Sequence, residues 1–266
     1  MSQSPLSSLE KYEEALEAYD KALEINPNSA TAWNNKGDTL RILRKYEQSL
    51  KAYDKSIKIS PRNVHAWNCK GLIFLNRGDY KKALRIFEKI NKIDPEYIYA
   101  WYNRGLALAS LKKYEEALKA YDKAIEINDH YANAWNNKGV VLHNLGRYKE
   151  ALQAYDKAIE ANSLGDLPHE NKAELLFLLG NLKEASKEVE KTLEINSRNT
   201  SALITRGRIE IERKEYGSAI KRFEEAMSSS PGDLEPFLWN AYAEYLNLEF
   251  GLEAEDKERR EEVHQS

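Results

Sequence analysis

Four tryptophans, Trp33, Trp67, Trp101 and Trp135, stand 34 residues apart. Gly37, Gly71, Gly105 and Gly139 keep the same step, and Gly207 rejoins it. Tyr12, Tyr46, Tyr80, Tyr114, Tyr148 and Tyr216 share it, as do Ala15, Ala83, Ala117, Ala151, Ala185 and Ala219, with Ser49 as the small substitute. A fixed period of this length means that one supersecondary unit recurs along the chain. With register 1 at Ala30, six full units fall at 30–63, 64–97, 98–131, 132–165, 166–199 and 200–233. Residues 1–8 read as a flexible amino terminus and 9–29 as the second half of a unit. Residues 234–248 read as a capping helix, and 249–266 as a charged tail, either a solvated helix extension or a frayed end.

Each unit reads as two helices. In unit 98–131 the first carries Trp101, Gly105 and Leu108, and the second Tyr114, Ala117, Tyr121 and Ala124. At about 100° per residue, Trp101, Gly105 and Leu108 lie within roughly 60° of one another and form one buried stripe. Leu111 to Lys113 makes a short turn, and in other units Gly78, Gly146 or Gly180 closes the first helix. Pro27, Pro61, Pro95 and Pro231 sit at unit ends, where a missing N–H stops one helix. Gly105 and Ala117 let the paired helices approach closely, while Trp101 and Tyr121 fill the space between units. A lone unit cannot bury that face, so stability comes from stacking neighbours.

Composition excludes several function classes. Lys plus Arg total 40 against 43 Asp plus Glu, a formal charge of −3, which lacks the basic excess of a nucleic-acid binder. Mean hydropathy is −0.71, and no apolar run approaches the ~18 residues of a membrane span. The start, Met1 to Leu9, has no apolar core of a signal peptide, so a cytoplasmic location is expected. One cysteine, Cys69, forms no internal disulfide and by itself no structural zinc site.

The order Trp, Gly, Tyr, Ala, aromatic, Ala and Pro closely resembles the tetratricopeptide repeat. Ala66-Trp67-Asn68-Cys69-Lys70-Gly71 with Tyr80, Ala83, Phe87 and Pro95 shows it, and the likeness runs from about residue 9 to 248. The resemblance implies an all-α fold, a right-handed α-solenoid of tandem helix-turn-helix units whose first helices line a concave groove. Unit 166–199 departs from the pattern, with His169, Ala173 and Leu182 at the Trp, Gly and Tyr positions, and reads as looser, its entry at Ser163 to Pro168 the expected bend.

Two places after the tryptophan, at about 200° and opposite the buried stripe, stand Asn35, Asn103, Asn137 and Asn171, interrupted by Cys69 and Thr205. An asparagine both donates and accepts, as a peptide backbone requires, and some family members hold peptides on such a ladder. The alternative is a repeat residue kept for helix packing. Neighbouring groove positions are His65, Leu72, Leu75, Tyr99, Leu106 and Val140, with charged residues towards the ends. A column of Lys36, Lys70, Arg104, Lys138, Lys172 and Arg206 flanks the stripe, its long stems covering apolar surface. A chaperone-tail clamp of the family's kind is not expected, because Asp38 would repel a carboxylate.

No nucleotide-binding glycine loop and no paired histidines on one helix occur. His65 and Cys69 share a helix face, but no third group joins them in the sequence. The expected function is therefore non-catalytic, with no cofactor or metal: a scaffold that holds a peptide segment of a protein partner in its groove. The alternatives are self-assembly, as a homo-oligomer through the unpaired amino-terminal helix, and the regulatory array of a larger enzyme such as a glycosyltransferase. Neither nucleic acid nor membrane is expected as a partner.

Overall fold

A computed structural model of the chain describes the backbone of residues 5–265 and the side chains of residues 11–250. The described residues form fourteen α-helices and no strand. They are α1 (Pro5–Ile25), α2 (Ala30–Ile42), α3 (Tyr46–Ile59), α4 (Val64–Asn76), α5 (Tyr80–Ile93), α6 (Ile98–Ser110) and α7 (Tyr114–Ile127) in one compact unit that ends at Asp129. A second unit begins at His130 and holds α8 (Ala132–Asn144), α9 (Tyr148–Ala161), α10 (Asp166–Leu178), α11 (Leu182–Ile195), α12 (Thr200–Glu212), α13 (Tyr216–Ser229) and α14 (Glu235–Gln265). Even-numbered helices are the first helices of their repeats. Within each unit every helix packs on the one that follows it, so both units are all-α arrays of tandem helical hairpins.

Close approach within five of the six hairpins from α2 to α13 depends on one glycine. A Cβ added at Gly37, Gly71, Gly105, Gly139 or Gly207 would lie 2.4–2.7 Å from a ring atom of Tyr53, Phe87, Tyr121, Tyr155 or Phe223 respectively. These five rings have at most 1% of their surface exposed. The repeat built on α10 and α11 solves the same problem with different volumes. Ala173 replaces the glycine, the branched Val189 replaces the ring, and both are buried in one cluster with Ala185 and Ile209. The substitutions that set this repeat apart thus compensate each other inside its own hairpin.

The first helices end in one way. Residues 44, 78, 112, 146, 180 and 214 all adopt positive φ, between 57° and 76°, and three of them are Arg44, Lys112 and Lys214 rather than glycine. The next residue donates its N–H five residues back, as in Lys113 to Leu108 O at 2.9 Å and Arg147 to Leu142 O at 2.9 Å, the Schellman closure. A second device recurs in the amino-terminal unit. The indoles of Trp33, Trp67 and Trp101 donate to the carbonyls of Pro27, Pro61 and Pro95 at 2.9, 3.0 and 2.7 Å, which fastens each first helix to the turn before it.

At the amino end the first helix begins earlier than the sequence boundary, and at the carboxy end the tail follows the helical one of its two readings. Helix α1 starts at Pro5, inside the stretch read as a flexible amino terminus, whose residues 1–4 lie outside the described residues. Helix α14 continues past residue 249 without a break. Phe250 stacks on Tyr216 with ring centroids 5.4 Å apart, so the helix still has a partner where the charged tail begins. Earlier in α14, Trp239 stacks on Phe223 and Ala243 is fully buried, closing the array.

Candidate functional site

The expected asparagine ladder faces a neighbour instead of a groove at two of its rungs. Asn103 on α6 is 5% exposed and donates through Nδ2 to Asn68 Oδ1 on α4 at 3.1 Å. Asn171 on α10 repeats the bond to Asn136 Oδ1 on α8 at 2.9 Å. Thr205, at the same register on α12, donates to Glu174 Oε2 on α10 at 3.1 Å. The direction opposite the buried stripe thus points at the preceding first helix, and one amide N–H of each of these asparagines is used there. Asn35 and Asn137 are half-buried, and Asn136 Nδ2 reaches Asn137 Oδ1 at 3.4 Å.

The basic column is likewise engaged within the fold. Lys36 pairs with Asp20, Lys70 with Asp54, Arg104 with Glu88 at 3.9 Å, and Lys172 with Asp156 at 2.8 Å and Glu188 at 2.6 Å. The carboxylate lies sixteen residues earlier in four of these pairs, on the second helix of the preceding repeat. Lys36, Lys70, Arg104 and Lys138 also lie over the rings of Trp33, Trp67, Trp101 and Trp135. A charge satisfied on two sides does not serve as a phosphate track.

What the first-helix face of the amino-terminal unit does present is apolar. Leu72 and Leu75 on α4 and Leu106 and Ala109 on α6 are half-buried, and Tyr99 on α6 is 51% exposed, edge-on to Tyr97 at 5.5 Å. Leu75 also packs on the core around Phe87. In the carboxy-terminal unit Val140 is half-buried, Leu178 on α10 is 55% exposed, and charged side chains stand among them. Arg208 Nη1 meets both Glu174 oxygens at 2.9 and 3.0 Å and lies over Phe177, and Asn199 donates to Glu170 at 2.7 Å.

Beside the leucines lies a polar cluster that the sequence reading lacked. His65 and Cys69, one turn apart on α4, meet Asp38 from α2. His65 Nε2 lies 3.1 Å from Asp38 Oδ2 and 3.6 Å from Cys69 Sγ. The Tyr53 hydroxyl donates to Asp38 Oδ1 at 2.7 Å, and Asn34 Nδ2 donates to Asp38 Oδ2 at 3.1 Å. Burial, and then the negative charge of Asp38, push the Cys69 thiol up to about 11, and burial likewise raises the Tyr53 phenol. The third group missing from the sequence reading is therefore Asp38, 27 residues before His65. The arrangement does not form a nucleophilic relay. Such a relay needs the acid on one ring nitrogen and the thiol on the other, whereas both partners here meet Nε2, and a thiol with a raised pKa is a poor nucleophile.

No described helix is long and apolar enough to cross a membrane. No curated protein matches the chain significantly. Solved structures do. The chain superposes on Cut9–Hcn1, a hetero-tetramer of the APC/C, with TM-score 0.72 and 15% identity over 87% of its length, spanning 46% of that chain. It superposes on a tetratricopeptide repeat protein from Parabacteroides merdae with TM-score 0.68 and 21% identity, covering 87% of this chain and 92% of the other. YrrB, a TPR protein with an unusual peptide-binding site, gives TM-score 0.57 and 26% identity over 71% of this chain and 97% of its own. Family models for the tetratricopeptide repeat match residues 30–63, 98–131 and 132–163, and again 52–85, and a TPR repeat model matches 6–41. These matches span 6–85 and 98–163 and stop before the repeat in which Ala173 and Val189 replace glycine and ring. With more than half its length matched by those models, the chain belongs to the tetratricopeptide repeat family.

Proposed function

We propose that the chain is a non-catalytic protein-interaction scaffold that takes a peptide segment of a partner on the first-helix face of its amino-terminal unit. The observation that carries this reading is the half-exposed set Leu72, Leu106 and Tyr99, bordered by polar Asp38 and His65. An apolar centre with a polar rim is the anatomy of a recognition surface. Since Asn103 and Asn171 are bonded to neighbouring helices, recognition rests on apolar side chains of the ligand rather than on amide pairing with its backbone. Peptide binding by YrrB supports this mode of action.

The test compares the wild-type chain with a Leu72→Glu, Leu106→Glu double variant, first for equal thermal stability. Both chains are used for affinity capture from native lysate, and peptides of a captured partner are then titrated by calorimetry. Binding lost only in the double variant supports the reading, and equal binding by both chains overturns it.

Self-association is a second reading, favoured by a specific surface. On α14, Leu234 just before its start and Leu238, Tyr242, Tyr245 and Leu248 along it are 48–74% exposed. Light scattering across a concentration range separates the two, because a strict monomer at high concentration removes this reading.

A further inference from the structure

We propose that Asp38, His65 and Cys69 form a three-ligand site for a divalent transition-metal ion of the zinc class, with a fourth position open to solvent or to an incoming donor. The site stands independently of any peptide on the same face. Three arguments carry it.

The first is donor chemistry. A carboxylate, an imidazole and a thiol together are the borderline-soft set that zinc selects, and three protein ligands with one open position is the form of its reactive sites. Calcium and magnesium, which take oxygen donors, do not match this set.

The second is distance. Zinc bonds of about 2.0–2.3 Å at a tetrahedral angle place neighbouring ligand atoms about 3.4–3.6 Å apart. His65 Nε2 is already 3.6 Å from Cys69 Sγ and 3.1–3.3 Å from the Asp38 oxygens, and the three donor atoms all lie within 4.8 Å of one another. Both pairs that involve His65 Nε2 are thus close to the spacing an ion requires, and the pair of Asp38 and Cys69 starts from no more than 4.8 Å. Metal-bound carboxylates are held by further hydrogen bonds, and Asp38 has them ready from Tyr53 and Asn34. The Arg41 guanidinium beside the cluster opposes a cation, and Cys69 must give up its thiol proton to ligate, which then leaves a carboxylate and a thiolate, two negative charges, against the one of Arg41.

The third is singularity within the array. The three register positions read Asp38, His65 and Cys69 here, Leu72, Tyr99 and Asn103 one repeat on, and Glu174, Ser201 and Thr205 near the carboxyl end. Cys69 breaks the asparagine pattern at the one junction where a histidine and an aspartate meet it. A cysteine kept only as a small packing residue does not require those partners.

The experiment titrates Co²⁺, as a spectroscopic stand-in for Zn²⁺, into the reduced full-length chain. Cys69 is the only cysteine, so a thiolate-to-cobalt charge-transfer band reports this site alone. The expected result is a band that saturates at one ion per chain, is displaced by Zn²⁺ and is absent from Cys69→Ser. His65, exposed in the fold, is replaced with little risk to folding, and His65→Ala should weaken Co²⁺ and Zn²⁺ binding tenfold or more. Tyr53→Phe keeps the ring that Phe87 and Phe223 supply elsewhere and removes only the hydroxyl, and it should weaken binding by about tenfold. Absence of the band in the wild-type chain overturns the proposal. So does a band of unchanged affinity in His65→Ala and Asp38→Asn, which would mark a lone thiolate adduct.

Discussion

The side-chain amide of Asn103 donates to Asn68 Oδ1 at 3.1 Å, with 5% and 8% of the two residues exposed. The bond joins the first helices of adjacent repeats, and Asn171 with Asn136 copies it in the carboxy-terminal unit. Asn103→Ala leaves a buried carbonyl oxygen without its donor, which costs about 1–3 kcal/mol. Adding Asn68→Ala removes the orphaned group, so the double variant should lose clearly less than the sum of the singles. Urea unfolding of the four chains measures this coupling. A solvent-facing asparagine would instead change stability by no more than about 0.5 kcal/mol.

Gly105 and Tyr121 make the tightest of the glycine contacts, with an added Cβ 2.4 Å from the ring. Gly105→Ala gains up to about 1 kcal/mol of helix propensity and pays about 1–3 kcal/mol for overpacking, so a net loss is expected. The pair Ala173 and Val189 shows the compensated solution, in which a methyl group is accepted because the ring has gone. Tyr121→Val should therefore reduce or reverse the penalty of Gly105→Ala, although the valine variant is itself less stable through its cavity. Denaturant midpoints of single and double variants decide it.

Helix period and small-residue placement were legible in the chain because both are set within one hairpin. Gly105 and Ala117 belong to the same unit, and the first helices begin where the register starts, whereas the ring of Tyr121, expected between units, lies on Gly105 of its own hairpin. The destinations of side chains that leave the hairpin were not legible. An angle of 200° from Trp101 tells which way Asn103 points relative to its own helix, but not that α4 stands there. The same blindness hid Asp38. Its approach to His65 and Cys69 depends on how α2 lies beside α4, a distance between repeats that no periodicity within one helix encodes. His65 and Cys69 were visible as a pair because one turn of α4 brings them together.

The first helices close on left-handed residues, and Lys112 holds φ 58° where Gly78, Gly146 and Gly180 hold the same turn elsewhere. A side chain in that region costs about 1–2 kcal/mol, partly offset by the entropy that glycine loses on folding. Arg44→Gly and Lys112→Gly should each raise stability by about 0.5–1 kcal/mol, seen as a higher melting temperature. Lys214→Gly should gain less, because the Lys214 ammonium lies over the Phe250 ring, 5.7 Å from its centroid, and that contact is lost.

Asp166, the first residue of α10, accepts from Asn196 Nδ2 at 3.0 Å and Asn199 Nδ2 at 3.3 Å. The hydrogen bond from Asn196, then that from Asn199 and those from the helix N–H groups, hold its carboxyl below the usual carboxylate range. The folded pKa is lower than the unfolded one of about 3.9, so the charge stabilises the fold above that value. The contribution fades as pH falls through the lowered folded pKa. Asp166→Asn should accordingly melt below the wild-type chain at pH 7, with the gap narrowing at pH 3. A gap of the same size at both pH values would assign the loss to hydrogen-bond geometry rather than to the carboxylate charge.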